Sequence, residues 1–298
     1  MIPVMDIRPY REAVDTLKLR VEGIIVLQRG EKIGEHRWIP EKPRNVFSVS
    51  KSVTAVALGM ALDDGTVSLD QRVIDSFPGL APKPSPRLQS LTLRHLLTMT
   101  RGHGGFTRPS SVEEALSHEL HYDPGAVFVY DNACTLLISA MITNAAGMNV
   151  RELLLKRLFP ALGIPGPLWP ESGGVTQGAT GLELSTGSLA LFGQFLLQRG
   201  NWNGKQLVSS RWIDGATRTQ VPTRNPRLPE TCKPDYDLGY GFHFWTCRHG
   251  AYRADGKNGQ FVVVLPREEA VVAINADEAA MNPILYAVWD HILPRLSP

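Results

Sequence analysis

Residues 49–62, VSKSVTAVALGMAL, are apolar on nearly every side of a helix, and Asp64-Gly65 supplies the stop. A helix of this kind belongs in the middle of a core, because a surface position would bury only one of its faces. With 298 residues the chain is long enough to surround it. At about 150 residues per domain, that length allows two lobes or one large layered domain. Hydrophobic residues make up 43% and charged residues 20%, proportions that suit one substantial core and not a disordered chain.

The rest of the chain supplies the cover. Residues 9–20 have the spacing of a short amphipathic helix. Residues 23–30 and the alternating stretch after Gly30-Glu31-Lys32 predict a β-hairpin. Helical spacing returns at 91–100, 133–146, 184–199, 209–217 and 283–293, and the Gly/Pro-rich stretch 163–181 predicts a long loop. Strand patterns lie at 242–247, 261–265 and 270–275. Strands near both ends with helices between predict an α/β (α+β) chain: one antiparallel sheet built from both termini, flanked by helices, with an inserted helical lobe. The expected division is a sheet lobe over 1–70 and 181–298 and a helical lobe over 71–180.

Composition excludes several functions. A net charge of +2 provides no concentrated basic surface for nucleic acid or for an anionic membrane. No run approaches the roughly 18 apolar residues of a membrane span, and no export signal is visible, so a cytoplasmic protein is expected. The cysteines, Cys134, Cys232 and Cys247, are odd in number and lack CxxC spacing, which supports neither a disulfide framework nor a zinc site. His118-Glu119-Leu120-His121 falls one residue short of H-E-x-x-H, and the expectation is surface histidines with no metal. Neither a P-loop, a G-x-G-x-x-G nor a G-x-S-x-G occurs, so no nucleotide cofactor and no nucleophile elbow are implied.

Three short segments carry chemistry. Ser48 and Lys51 share a helix face at i and i+3, where burial and the helix N-terminus both favour a neutral lysine able to activate a hydroxyl. The bland alternative makes Ser48 a helix cap and Lys51 a solvated first-turn residue. Tyr130 and Asn132 could exchange protons with that lysine and orient it, or could be plain core and an N-cap. Ala254 to Gln260 places glycines at the edge of a strand, where a backbone N–H can face an oxyanion, or where a hairpin simply turns.

In this order the three segments resemble the serine β-lactamase-like hydrolases: class C β-lactamases, D-Ala-D-Ala carboxypeptidases and their esterase, amidase and 6-aminohexanoate-dimer hydrolase relatives. Ser48-Val49-Ser50-Lys51 matches S-x-x-K, and Tyr130-Asp131-Asn132 matches Y-x-N with Pro124-Gly125 and Phe128 before it. Further likeness lies in LTLRHLLTMTRG (91–102), in 181–207 and in DLGYGFHFW (237–245), so it spans roughly residues 20 to 290. The resemblance implies Ser48 as acylated nucleophile, Lys51 and Tyr130 sharing the general-base role, Asn132 orienting lysine and substrate, and an oxyanion hole from the N–H groups of Ser48 and Lys257. Gly256, Trp169, Tyr240, His243 and Trp245 become candidate cleft residues, with Tyr252 beside them.

One departure bears on the substrate. Penicillin-recognising relatives begin the third triplet with Lys or His, whereas this chain has Ala254-Asp255-Gly256, leaving Arg253 or Lys257 as the only nearby substitutes. The expected function is a cofactor-free esterase or amidase for a small-molecule substrate. A β-lactamase or D,D-peptidase and a catalytically silent ligand-binding protein of the same fold are the alternatives.

Overall fold

The computed structural model describes residues 4–81, 83–223 and 234–297; Cys232 lies outside them. A first helix, α1 (Arg8–Thr16), leads into strands β1 (Val21–Gln28) and β2 (Glu31–Arg37), and the chain then enters α2 (Val49–Asp63). Helices α3 (Asn132–Ala146) and α4 (Thr186–Leu197) follow, with short helices between them. The tail returns as β3 (Trp245–Thr246), β4 (Tyr252–Gly256), β5 (Gln260–Leu265), β6 (Ala270–Ala276) and helix α5 (Met281–Ala287). These strands form one six-stranded antiparallel sheet in the order β2-β1-β6-β5-β4-β3, so both ends of the chain meet at the β1–β6 ladder.

The sheet is covered on both faces, which explains its unbroken apolar runs. Along β1, Ile24 and Val26 face α1 and α5, while Ile25 and Leu27 face α4 and the helical core. Phe261 and Val263 of β5 join the first group, and Val262 and Val264 the second. Successive strand residues point to opposite faces, so a doubly covered strand needs apolar residues at every position. Gly193 lets α4 settle on this surface, since a Cβ there would stand 2.4 Å from Val271 Cγ1.

Helix α2 is the centre of the molecule. Every residue from Val49 to Ala61 is buried, between α3 on one side and β4 and β5 on the other. Each large aliphatic side chain placed this way contributes about 1.5–3 kcal/mol. The indole of Trp212 crosses over it and donates to Ala55 O at 3.0 Å, against the bare Cα of Gly59.

Two sequence expectations change. The helix expected over 91–100 is helical only across Leu93–Leu97, because Met99 takes a positive φ of 57° and turns the chain. The strand expected over 242–247 pairs only at Trp245 and Thr246: Gly241 N–H donates to Phe244 O at 2.8 Å, and His243, at φ 65°, turns a tight loop. Residues on the two arms of that loop alternate in hydrophobicity just as one strand would.

Candidate active site

The turn before α2 sets the position of Ser48. Asn45 Oδ1 accepts from Phe47 N–H at 2.8 Å and from Gly181 N–H at 3.2 Å. Held so, Phe47 adopts a φ of 46°, a left-handed conformation costly for an aromatic residue. Ser48 follows as the first residue outside the helix, and its hydroxyl makes no capping bond. That hydroxyl accepts from Lys51 Nζ at 3.0 Å.

Lys51 is 1% exposed, and among the described residues no carboxylate pairs with it. Its Nζ lies 2.7 Å from Asn132 Oδ1, 2.9 Å from Ala179 O, and 4.9 Å from the Tyr130 ring centre. Burial lowers its pKa from 10.5 to about 7, and the positive charge of Arg108 pushes the same way; Cys134, Asp131 and Asp255 push it back up. A neutral lysine has two N–H donors and one lone pair. Nζ donates to Asn132 Oδ1, Ala179 O and Ser48 Oγ, so loss of one proton with the two carbonyls still served would free a lone pair on the Ser48 side. Burial moves Tyr130 in the opposite sense, well above its ordinary 10, so the phenol keeps its proton.

The start of α3 delivers Tyr130 and Asn132. Asp131 caps the helix by accepting from Ala133 N–H at 3.3 Å, so Asn132 is the first helical residue and its amide is free for Lys51. The alternative role of Asn132 as N-cap is thereby taken by its neighbour. Asp131 also pairs with buried Arg101 at 2.6 Å and accepts from Thr107 N–H at 2.9 Å and Thr107 Oγ1 at 2.5 Å. Arg101 continues to Ala115 O and to His118 Nδ1, both at 3.0 Å. His118 is therefore half-buried on Arg101, with the rings of His103 and His121 nearby, and is not the free surface histidine expected from sequence.

Strand β4 forms the opposite wall. A Cβ on Gly256 would stand 2.2 Å from Val46 O, so only glycine lets the strand end lie against the nucleophile turn. Lys257, the next residue, is exposed. Arg253 is wholly buried: Nε donates to Asp255 Oδ2 at 2.9 Å and Nη1 to Asp235 O at 3.2 Å, and its guanidinium lies 4.4 Å from the Tyr236 ring centre. Asp255 Oδ2 also accepts from the Tyr236 hydroxyl at 2.8 Å.

Of the candidate cleft aromatics, Trp245 is half-buried and stacks on Tyr130 at 5.7 Å between ring centres. Trp169, Tyr240, His243 and Tyr252 are corrected from cleft to core, at 4%, 1%, 2% and 7% exposure. Trp169 Nε1 donates to Thr180 O at 3.0 Å, which fixes the segment whose Ala179 carbonyl holds Lys51. His243 lies under the site, its Nε2 3.0 Å from Thr135 Oγ1 of α3, and its carbonyl accepts from Ser52 Oγ of α2 at 2.6 Å. Burial, then the charge of Lys51, lowers its pKa to about 3 and keeps it neutral.

Sequence reasoning missed the Ala179 carbonyl, Arg101 and Thr107. Main-chain carbonyls carry no sequence signature, and Arg101 reads simply as part of a glycine-rich loop. Cavity size gives no guidance either: a cleft of about 730 Å³ lies between Leu80–Leu88 and Leu116–Asp123, and one of about 800 Å³ beside Arg94, Arg199 and Arg211, both without Ser48.

The fold and site define a mixed α/β scaffold in which a serine at a helix start meets a buried lysine. A sequence profile described as Beta-lactamase matches residues 19–284, and the chain belongs to that family, whose members are typically serine hydrolases. An uncharacterized protein of Alkalihalophilus pseudofirmus is 28% identical over 197 residues, 60% of this chain and 55% of that protein, so the match spans about half of that relative's length. A Bacillus anthracis structure assigned as a 6-aminohexanoate-dimer hydrolase superposes with a TM-score of 0.78 at 19% identity, covering 95% of this chain and 80% of that one. The octameric penicillin-binding protein homologue of Pyrococcus abyssi gives 0.74 at 18% identity, covering 98% and 79%. At such identities the two structures share the fold with this chain.

Proposed function

We propose that this chain is a hydrolase of small esters or amides that works through an acyl-Ser48 intermediate. The observation that carries this reading is Lys51: buried, paired with no carboxylate among the described residues, held by the carbonyls of Asn132 and Ala179, and with Nζ 3.0 Å from Ser48 Oγ. Lys51 takes the Ser48 proton as the oxygen attacks the substrate carbonyl. Tyr130, still a phenol, gives its proton to the departing alcohol or amine and recovers one from the Lys51 ammonium. The N–H groups of Ser48 and Lys257 stabilise the oxyanion, with Gly256 allowing the approach. Water then releases the acid, with Lys51 again as base.

Support for esters and amides over penicillins comes from β4. Ala254 presents a methyl group where penicillin-recognising relatives carry a cation, and Arg253 is already bound to Asp255 beneath the wall. The test is intact-mass spectrometry after mixing wild type and Ser48→Ala with p-nitrophenyl butyrate and, separately, with a penicillin. Ester turnover or a butyryl adduct in wild type that is absent from Ser48→Ala is the expected result. A stable penicillin adduct without ester turnover would favour penicillin binding, and turnover surviving in Ser48→Ala would overturn the nucleophile.

A second expected outcome is a pH profile of kcat/KM that rises through about pH 7, as Lys51 loses its proton. A flat profile from pH 6 to 9 would remove Lys51 as the base.

A further inference from the structure

The loop 240–245 touches both helices that carry the reacting groups, and one residue makes both contacts. At a φ of 65°, His243 sends its main-chain oxygen to α2, where it accepts from Ser52 Oγ at 2.6 Å. Its ring goes to α3, where Nε2 lies 3.0 Å from Thr135 Oγ1. Ser52 is the residue after Lys51, and Thr135 stands about one helical turn after Asn132. All three side chains are buried. The same loop meets Tyr130 as well, through the stacked ring of Trp245 and the edge of Tyr240 at 6.1 Å between ring centres.

Turn geometry alone does not call for histidine here. Glycine meets a positive φ at least cost, and asparagine also accepts it, but neither side chain is as long as imidazole. A buried polar ring costs free energy unless it is hydrogen-bonded, and this one spends its bond on the seam between α2 and α3. Apolar packing draws those two helices together without fixing their register, because it is non-directional. Two directional bonds from a single residue do fix it. We propose that His243 is a positioning residue: by tying Ser52 to Thr135 it sets the register in which Asn132 meets Lys51. The effect on rate rests on the hydrolase reading, whereas the effect on the Lys51–Asn132 geometry stands apart from it.

The test uses four single variants. Thr135→Val keeps the shape and removes the hydroxyl, and Thr135→Ser keeps the hydroxyl. His243→Asn keeps the turn and is too short for Thr135. Trp212→Phe removes a hydrogen bond to α2 at Ala55, away from the His243 bridge. With p-nitrophenyl butyrate, kcat is expected to fall about tenfold in Thr135→Val and His243→Asn with KM nearly unchanged, since a displacement of about 1 Å can cost up to a hundredfold. Thr135→Ser should recover most of the rate, and Trp212→Phe should keep it. In an Asn132→Ala background, Thr135→Val should cost nothing further, because the two residues act in series. An unchanged kcat in Thr135→Val, no recovery in Thr135→Ser, an equal fall in Trp212→Phe, or a full further loss in the Asn132→Ala background would each overturn the proposal. Should no ester be turned over, the hydrolase reading fails separately, and crystal structures of wild type and Thr135→Val decide the matter. Asn132 Oδ1 moved beyond hydrogen-bond reach of Lys51 Nζ in the variant supports the positioning role, and an unchanged separation of 2.7 Å overturns it.

Discussion

Two buried arginine–aspartate pairs flank the nucleophile, and they are built differently. On the helical side, Asp131 receives donors from Arg101, Thr107 and Ala133, and each nitrogen of the Arg101 guanidinium has a partner. On the strand side, among the described residues Asp255 receives only Arg253 and the Tyr236 hydroxyl and keeps 10% exposure, and Arg253 Nη2 is buried without a partner. A buried ion pair stabilises only when its desolvated groups are all satisfied. The first pair meets that condition and fixes Tyr130 and Asn132 from behind. The second does not, and its neighbours Tyr236 and Trp245 hold it chiefly by packing against the guanidinium face.

The largest consequence is in stability. Arg101→Leu strands the Asp131 carboxylate in the core and should cost about 3–5 kcal/mol in urea unfolding. Arg253→Leu leaves Asp255 with Tyr236 and some solvent, and should cost nearer 2 kcal/mol. Equal losses would erase the distinction between the pairs.

Activity separates them next. Asp131→Asn weakens the clamp that aims Asn132 at Lys51 and should lower kcat about tenfold, which is about 1.4 kcal/mol of transition-state stabilisation. Asp255→Asn should have a smaller effect, because Tyr236 and Arg253 do not touch Lys51. Steady-state kinetics on the same ester reads both, and a larger loss in Asp255→Asn would reverse the assignment.

The smallest expected effect sharpens the comparison electrostatically. Both carboxylates raise the Lys51 pKa against the dominant lowering by burial, Asp131 more than Asp255. Removing either negative charge should move the acid limb of kcat/KM to lower pH, further for Asp131→Asn than for Asp255→Asn. Arg108→Gln should move it the other way, so the three profiles together calibrate the field at Lys51.

Much of this was legible along the chain. The all-round apolar run 49–62 required a central helix, and the apolar runs 261–265 and 270–275 gave the paired strands β5 and β6. Both rest on local periodicity, which burial imposes on sequence directly. The resemblance brought Tyr130 and Asn132 to Lys51 across 81 residues. It did not distinguish lining from core, so Tyr240 and His243 stood as cleft residues although both are buried. Aromatic side chains serve packing and recognition alike, and composition does not separate the two.

The sequence by itself determined an antiparallel sheet built from both termini and flanked by helices, a buried helix opening on Ser48 and Lys51, and a Tyr-Asp-Asn segment at the head of a second helix. Only the tertiary structure decided the state of the lysine. One of its three N–H acceptors is the main-chain oxygen of Ala179, 128 residues away, and besides burial Cys134, Asp131, Arg108 and Asp255 act on it from separate parts of the chain. Burial and charge act through space, so the pKa of Lys51 belongs to the packed molecule and cannot be read from the four residues of its motif.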